Sequence, residues 1–284
     1  MSAAKPRAIA GIDHVMIVVP DIEAAGKAYA RLGFEVQPRG VHGHLGTANH
    51  LMILDKDYIE LLGVITPMPL NERYRQIAAE GGSLANIALA SASADLAHQA
   101  WTANGLNPEP VLAFDRAVSV GGQEERAAFR IVRLPHEARP GIGIFVCEQR
   151  TPQFVYRPEW ANHPNGALAL SAVTVLAADP QIYAAAANKV FGAGAARINP
   201  DGMRVETGAA PIRYLTRAGF ARLFPGMAAP RQDDHAAVLS VRVRDIDRTM
   251  LLLKNNGVSF NRPTPGRLIV PHGEAGNVLI EFVA

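Results

Sequence analysis

Gly11–Gly63 reads GIDHVMIVVPDIEAAGKAYARLGFEVQPRGVHGHLGTANHLMILDKDYIELLG, and its pattern decides the fold. Ile12–Val19 is apolar, rich in β-branched residues and stopped by Pro20, which predicts a strand. The period of two puts His14, Met16 and Val18 on one face and Asp13, Val15 and Ile17 on the other. Asp21 then reads as a helix N-cap. Ile22, Ala25, Ala28, Tyr29 and Leu32 form an apolar stripe at helical spacing, and Gly33 reads as the stop. Phe34–Pro38 is read as a second strand, and Arg39–His50 as a Gly- and His-rich loop or hairpin. Leu51–Leu54 and Tyr58–Leu62 are two more strands, the last carrying Glu60 in an apolar run. The unit is βαβββ. A histidine and a carboxylate inside such strands are costly to bury unpaired, and a shared metal ion would satisfy both.

The same order returns along the chain. A shift of 72 residues lays Asn86 under His14, Trp101 under Tyr29 and Gly105 under Gly33. Strands are expected at Leu84–Ala90, Val111–Ala113, Ala127–Leu134 and Gly143–Glu148, with a helix over Asp95–Asn104. A third pass runs from Leu168–Leu176 through a helix over Asp179–Val190, a Gly192 stop, and strands at Met203–Thr207 and Ile212–Thr216. A fourth has Val238–Val243, a helix opened by Asp245, a Gly257 stop, and strands at Arg267–Val270 and Val278–Val283. There Leu279-Ile280-Glu281-Phe282 echoes Tyr58-Ile59-Glu60-Leu61. The Pro- and aromatic-rich Arg150–Gly166 is an ordered connector, which divides the chain into domains at 9–155 and 163–284.

Composition removes several classes of function. Across 284 residues, 28 Lys+Arg face 26 Asp+Glu, so a net charge of +2 gives no reason to expect nucleic acid or an acidic membrane surface. The single Cys147 excludes an internal disulfide framework and a CxxC zinc site. No run approaches the roughly 20 apolar residues of a membrane span. Residues 1–8 read as a loose leader, and the apolar Met16–Val19 is too short for a signal peptide, so the expected location is the cytoplasm.

Four βαβββ units, with Asp13-His14-Val15 in the first strand and Ile59-Glu60-Leu61 in the last strand of the first unit, resemble the vicinal oxygen chelate superfamily. It includes glyoxalase I, extradiol dioxygenases, and bleomycin- and fosfomycin-resistance proteins. Gly46-Thr47-Ala48-Asn49 is similar to a Gly-Thr-x-Asn stretch of its glyoxalase-like domain proteins. The resemblance implies an α+β fold in which modules pair into two glyoxalase-like domains, with curved mixed sheets enclosing a cavity. It also implies His14 and Glu60 as ligands of a divalent ion such as Zn, Ni, Fe or Mn. The chain departs from the pattern in its other modules. Asn86 replaces the histidine in the second, Val173 and Val238 lie under His14 in the third and fourth, and of these last two only the fourth, with Glu281, recovers a carboxylate. The C-terminal pair therefore reads as degenerate.

Glu148 is aligned with Glu60 and is a candidate third ligand or general base. His42, beside His44 and His50, is a candidate for acid–base chemistry, with solvation or turn capping as the plain reading. Thr47 and Asn49, together with Asn86, are candidates for binding substrate; Thr47 and Asn49 equally suit a turn. His163 and Asn165 read as turn residues and Cys147 as buried and inert. The expected function is a metal-dependent isomerase, lyase or dioxygenase acting on a small molecule with vicinal oxygens. The alternative is a metal-free binding or resistance protein of the same fold. A small molecule is the expected partner. A homodimer is compatible with the fold, since modules of this kind can pair within or between chains.

Overall fold

The computed structural model describes residues 8–229 and 234–284, so the leader read at residues 1–8 lies outside the described residues except for Ala8. The first module comprises β1 (Gly11–Val18), α1 (Ile22–Arg31), β2 (Gly40–His42), β3 (Thr47–Ile53) and β4 (Tyr58–Val64), followed by α2 (Glu72–Ala79). The second has β5 (Ser83–Ala90), α3 (Ala94–Ala103), β6 (Leu112–Val120), β7 (Gln123–Arg133) and β8 (Gly143–Gln149). The third has β9 (Ala167–Leu176), α4 (Ala184–Phe191), β10 (Ala196–Asn199), β11 (Gly202–Val205), β12 (Ile212–Leu215) and a following α5 (Arg217–Leu223). The fourth has β13 (His235–Val243), α6 (Ile246–Asn255), β14 (Asn261–Thr264), β15 (Arg267–Val270) and β16 (Leu279–Val283).

Each module builds the same small sheet, its first strand parallel to its last and the remaining pairs antiparallel. β1 pairs antiparallel with β5, and β9 with β13, so the first module joins the second and the third joins the fourth. A single pair, Ala236 opposite Leu84, carries the ladder from β13 to β5. α1, α3, α4 and α6 pack on the outer faces of the curved sheets, over one apolar core that includes Tyr29, Trp101, Val190 and Phe282. Two further clusters lie on the opposite faces, one around Phe129 and Cys147, the other around Phe220 and Phe224.

Local chemistry explains the boundaries. The Asp21 carboxylate accepts the Ala24 N–H at 2.9 Å, and Asp245 caps α6 in the same manner. Gly33 follows α1 at φ +84°, where a side chain would meet Leu252 and Asn165. Phe34–Pro38 is not a strand. Its backbone link to β3 is the Gln37 N–H to Leu51 carbonyl, Pro38 has no N–H, and the ladder starts at Gly40. The His-rich segment is the β2–β3 hairpin, so β3 begins at Thr47 rather than Leu51. The helix expected from Asp179 is split into a tight turn at Pro180–Tyr183 and α4. α2, α5, β10 and β14 have no counterpart in the expected pattern.

The two pairs of modules are held back to back. Trp101 Nε1 donates to the Val190 carbonyl at 3.1 Å, and Tyr29 Oη to that of Ala275 at 3.2 Å. The connector is a clasp. The Glu35 N–H donates to His163 Nδ1 at 2.9 Å, while His163 Nε2–H donates to the Ile53 carbonyl at 2.7 Å. With both nitrogens used this way the imidazole is neutral, and burial lowers its pKa. Asn165 donates to the Leu32 carbonyl and accepts from Ala167.

Candidate functional site

The curved sheets of the first two modules enclose a cavity with an open mouth. Inward-facing residues arrive at every second position. His14 and Met16 come from β1, Thr47 and Asn49 from β3, and Tyr58, Glu60 and Leu62 from β4. Phe129, Ile131 and Arg133 come from β7, and Phe145 and Cys147 from β8. Two ladder rows cross this wall. One runs Tyr58, His14, Ala88, Phe145, Arg133; the next runs Glu60, Met16, Asn86, Gly143.

His14 and Glu60 meet here. His14 Nε2 lies 3.8 Å from Glu60 Oε2, and both side chains are buried. Each is fixed from behind. His14 Nδ1 stands 2.6 Å from Asp13 Oδ1, so Asp13 accepts at Nδ1 and Nε2 is the nitrogen turned toward Glu60. Glu60 Oε1 accepts from Asn49 Nδ2 at 2.7 Å, which leaves Oε2 for the histidine side. Tyr58 stacks on the His14 ring at 4.3 Å between centroids, and Phe145 meets it edge-on at 5.6 Å.

Asp13 is the residue that strand periodicity misplaces. A register shift between Ile12 and His14 breaks the alternation, and the bulge brings its carboxylate to the histidine it precedes. Tyr156 Oη and Gln149 Nε2 also donate to it. Asp13, His14 and Cys147 place potential ligand atoms within 4.8 Å of one another. Asp13 is already occupied by three donors, however, and the Cys147 thiol is pushed well up by burial and then by the charges of Asp13, Glu60 and Glu148. The better donor set is the cavity side, Nε2 of His14 with Oε2 of Glu60.

The other candidates fall into two groups. His42, Thr47, Asn49 and Asn86 all line the cavity. His42 Nδ1 lies 3.1 Å from Thr47 Oγ1; burial lowers its pKa against the pull of Glu60, with Arg116 and His44 adding to the lowering. Asn86 Nδ2 is 3.3 Å from Met16 Sδ and 3.4 Å from Tyr74 Oη. A side chain at Gly143 would stand 1.9 Å from Asn86 Oδ1, so the glycine makes the room that Asn86 occupies. His50 turns outward, toward α1 and the Gln37 carbonyl.

Glu148 is outside the cavity, on the other face of β8. Burial would raise its pKa, but the Ala94 N–H at the start of α3, Arg150 and Arg130 together hold it below the usual range. Its alignment with Glu60 also fails in the ladder. Met16 pairs with Glu60; the symmetry-equivalent Ala88 pairs with Phe145. The second module thus carries phenylalanine at the Glu60 position. The third module shows a similar slip. Val238 and Ser240 lie opposite Thr174 and Ala172, which puts Ala172 rather than Val173 at the His14 position and Arg213 at that of Glu60. In the C-terminal pair, Glu281 is 1% exposed and accepts from Ser240 Oγ and from Arg267 Nε at 2.7 Å, with Arg213 at 3.6 Å.

Sequence reasoning missed Asp13 and the arginines of the cavity. Arg73 comes from α2, Arg139 from the segment before β8, Arg116 from β6 and Arg133 from the end of β7. The two elements that supply Arg73 and Arg139 do not belong to the repeat, so no internal echo marks them.

Comparison with known proteins agrees with this architecture. The model of the glyoxalase-like domain family matches residues 12–191. No curated protein matches the chain. Among solved structures, a hypothetical protein from Staphylococcus aureus superposes with TM-score 0.67 at 11% identity, over 95% of this chain and 98% of that one. A xylose isomerase-like TIM barrel/4-hydroxyphenylpyruvate dioxygenase fusion protein superposes with TM-score 0.60 at 16% identity, over 99% of this chain and 49% of that one. A mutant 4-hydroxymandelate synthase from Streptomyces coelicolor gives TM-score 0.57 at 14% identity, over 98% and 93%. At these identities the likeness is one of fold.

Proposed function

The chain belongs to the glyoxalase-like domain family, and from that premise we propose that it is a metal-dependent enzyme acting on a small molecule with vicinal oxygens, by isomerisation, lyase chemistry or oxygen-dependent cleavage. The observation that carries this reading is the convergence of His14 Nε2 and Glu60 Oε2 at 3.8 Å inside a cavity, each with its other polar atom already bonded. A divalent ion held by this pair would keep open positions and supply Lewis acidity to substrate oxygens. Asp13 fixes the tautomer and orientation of His14, and Asn49 does the same for Glu60. His42, kept neutral by burial, is placed to take a proton inside the cavity. Tyr58, Phe129 and Phe145 give the same space apolar walls.

One observation favours the metal-free alternative. The second module offers Asn86 and Phe145 where the first offers His14 and Glu60, so the protein donors facing one another are two. In that reading the Asp13–His14 pair orients a ligand without an ion. Elemental analysis of the untagged protein, after incubation with Mn, Fe, Ni and Zn and removal of free ions, separates the two. Near-stoichiometric metal in the parent, lost from folded His14→Ala and Glu60→Gln, supports the enzyme reading. No retained metal in the parent sinks it. The cavity fits a small-molecule partner, and among the described residues no helix is long and apolar enough to cross a membrane. The ladder joins modules one to two and three to four within the chain, which supports the division at the 150–166 connector.

A further inference from the structure

The cavity has a cationic corner with no carboxylate of its own. Arg73, Arg133 and Arg139 all line it, and among the described residues none of the three stands within 4.0 Å of a carboxylate. Arg139 is half-buried and anchored by its Nε–H to the Leu134 carbonyl at 2.9 Å, which leaves its terminal nitrogens uncommitted. Burial first, then Arg73, pull its pKa down, with Arg133 adding to that against Tyr74 and Glu109. Guanidinium groups that repel one another in a partly dry pocket are unfavourable unless an anion joins them. Arg130, Arg150 and Arg126, by contrast, all have carboxylate partners. Aromatic rings form part of the remaining wall. Phe114 and Phe129 stack at 5.2 Å between centroids, and Tyr58 and Phe145 flank His14.

We propose that Arg73, Arg133 and Arg139 receive the carboxylate of a small aryl carboxylic acid, whose ring lies against the aromatic wall of the same cavity. The planar forks of the arginines suit a carboxylate, and the rings suit an apolar body. This gives the substrate class of the proposed enzyme and rests on that reading only in placing the reaction in this cavity; the anion subsite itself needs no metal.

The test is a fluorine NMR titration of the full chain with 4-fluorophenylacetate and its neutral isostere 4-fluorophenylacetamide, with EDTA present. The chelator makes the readout report on the arginines and not on an ion held by His14 and Glu60. The acid is expected to bind at least about tenfold tighter than the amide. That preference is expected to fall to near unity in Arg133→Gln and to weaken in Arg73→Gln, whose side chain is exposed and has no structural bond to lose. Thermal unfolding of both variants verifies that they are folded. Equal binding of acid and amide, no binding of the acid, or an unchanged preference in folded Arg133→Gln would each overturn the proposal. Failure here would leave the metal analysis as it stands, and a metal-free protein would leave this titration as it stands.

Discussion

Glu60 and Glu281 occupy the same place in two modules, the last strand opposite the first, and have opposite surroundings. Glu60 pairs across the ladder with Met16, gives one oxygen to Asn49 and turns the other toward His14 and an open cavity. Glu281 pairs with Ser240, accepts from its hydroxyl and from Arg267, and lies beside Arg213. The first carboxylate keeps an oxygen without a hydrogen bond; the second has none to spare. The same strand position therefore holds a buried carboxylate in two ways, according to whether its neighbours engage both oxygens. Asp57 is an intermediate case. It is buried at the β3–β4 turn and accepts the Leu170 N–H, at 3.0 Å to Oδ1 and 3.3 Å to Oδ2.

The largest expected effect breaks the scaffold side. Glu281→Gln leaves Arg213 and Arg267 without their anion, and urea unfolding is expected to show a loss of roughly 2–4 kcal/mol, reduced from the fully buried case because both arginines keep some exposure. Asp57 comes next. Burial raises its pKa from 3.8 to about 7, against the Leu170 N–H and with help from Asp13 and Asp55. A carboxyl with a raised folded pKa favours the folded state while protonated. Its cost is absent below about pH 4, grows between pH 4 and 7, and is complete above 7. Asp57→Asn keeps an acceptor for Leu170 and is expected to stabilise the protein by about 1–3 kcal/mol at pH 8, with no gain at pH 4. Unfolding curves at the two pH values measure the difference.

The site side sharpens the comparison at smaller scale. Asp13→Asn should weaken metal binding about 10- to 100-fold, because the amide no longer fixes the His14 tautomer; competition against a chromophoric chelator measures this. Glu60→Gln is expected to change stability by less than about 1 kcal/mol, since Asn49 is its one close hydrogen-bond partner and no cation is stranded. Glu148→Gln should leave metal and ligand binding unchanged while loosening the start of α3, visible as faster amide exchange there.

The repeat was legible because each module must bury a strand face and a helix stripe at fixed spacing. The ladder positions of His14, Asn86, Glu60 and Glu281 follow from that pattern. Register was not legible where the ladder bulges. Asp13 reads as sharing the Val15 face by alternation, and the register shift beside it brings its carboxylate to His14. Glu148 reads as the partner of Glu60 only because the longer β6–β7 hairpin hides the true equivalence of Phe145. Phe34–Pro38 has strand composition but no ladder partner along its length, a tertiary fact that propensity does not carry. Arg73 and Arg139 come from segments outside the repeat, where one sequence has no internal copy to compare.

The most direct test of the difference between the two halves is the stoichiometry of a cobalt(II) titration of the untagged protein, followed by visible absorption, in the parent and in Glu60→Gln. One ion per chain in the parent, and none in the folded variant, is the predicted result. No ion in the parent, a second ion of similar affinity, or an ion retained in Glu60→Gln would contradict it.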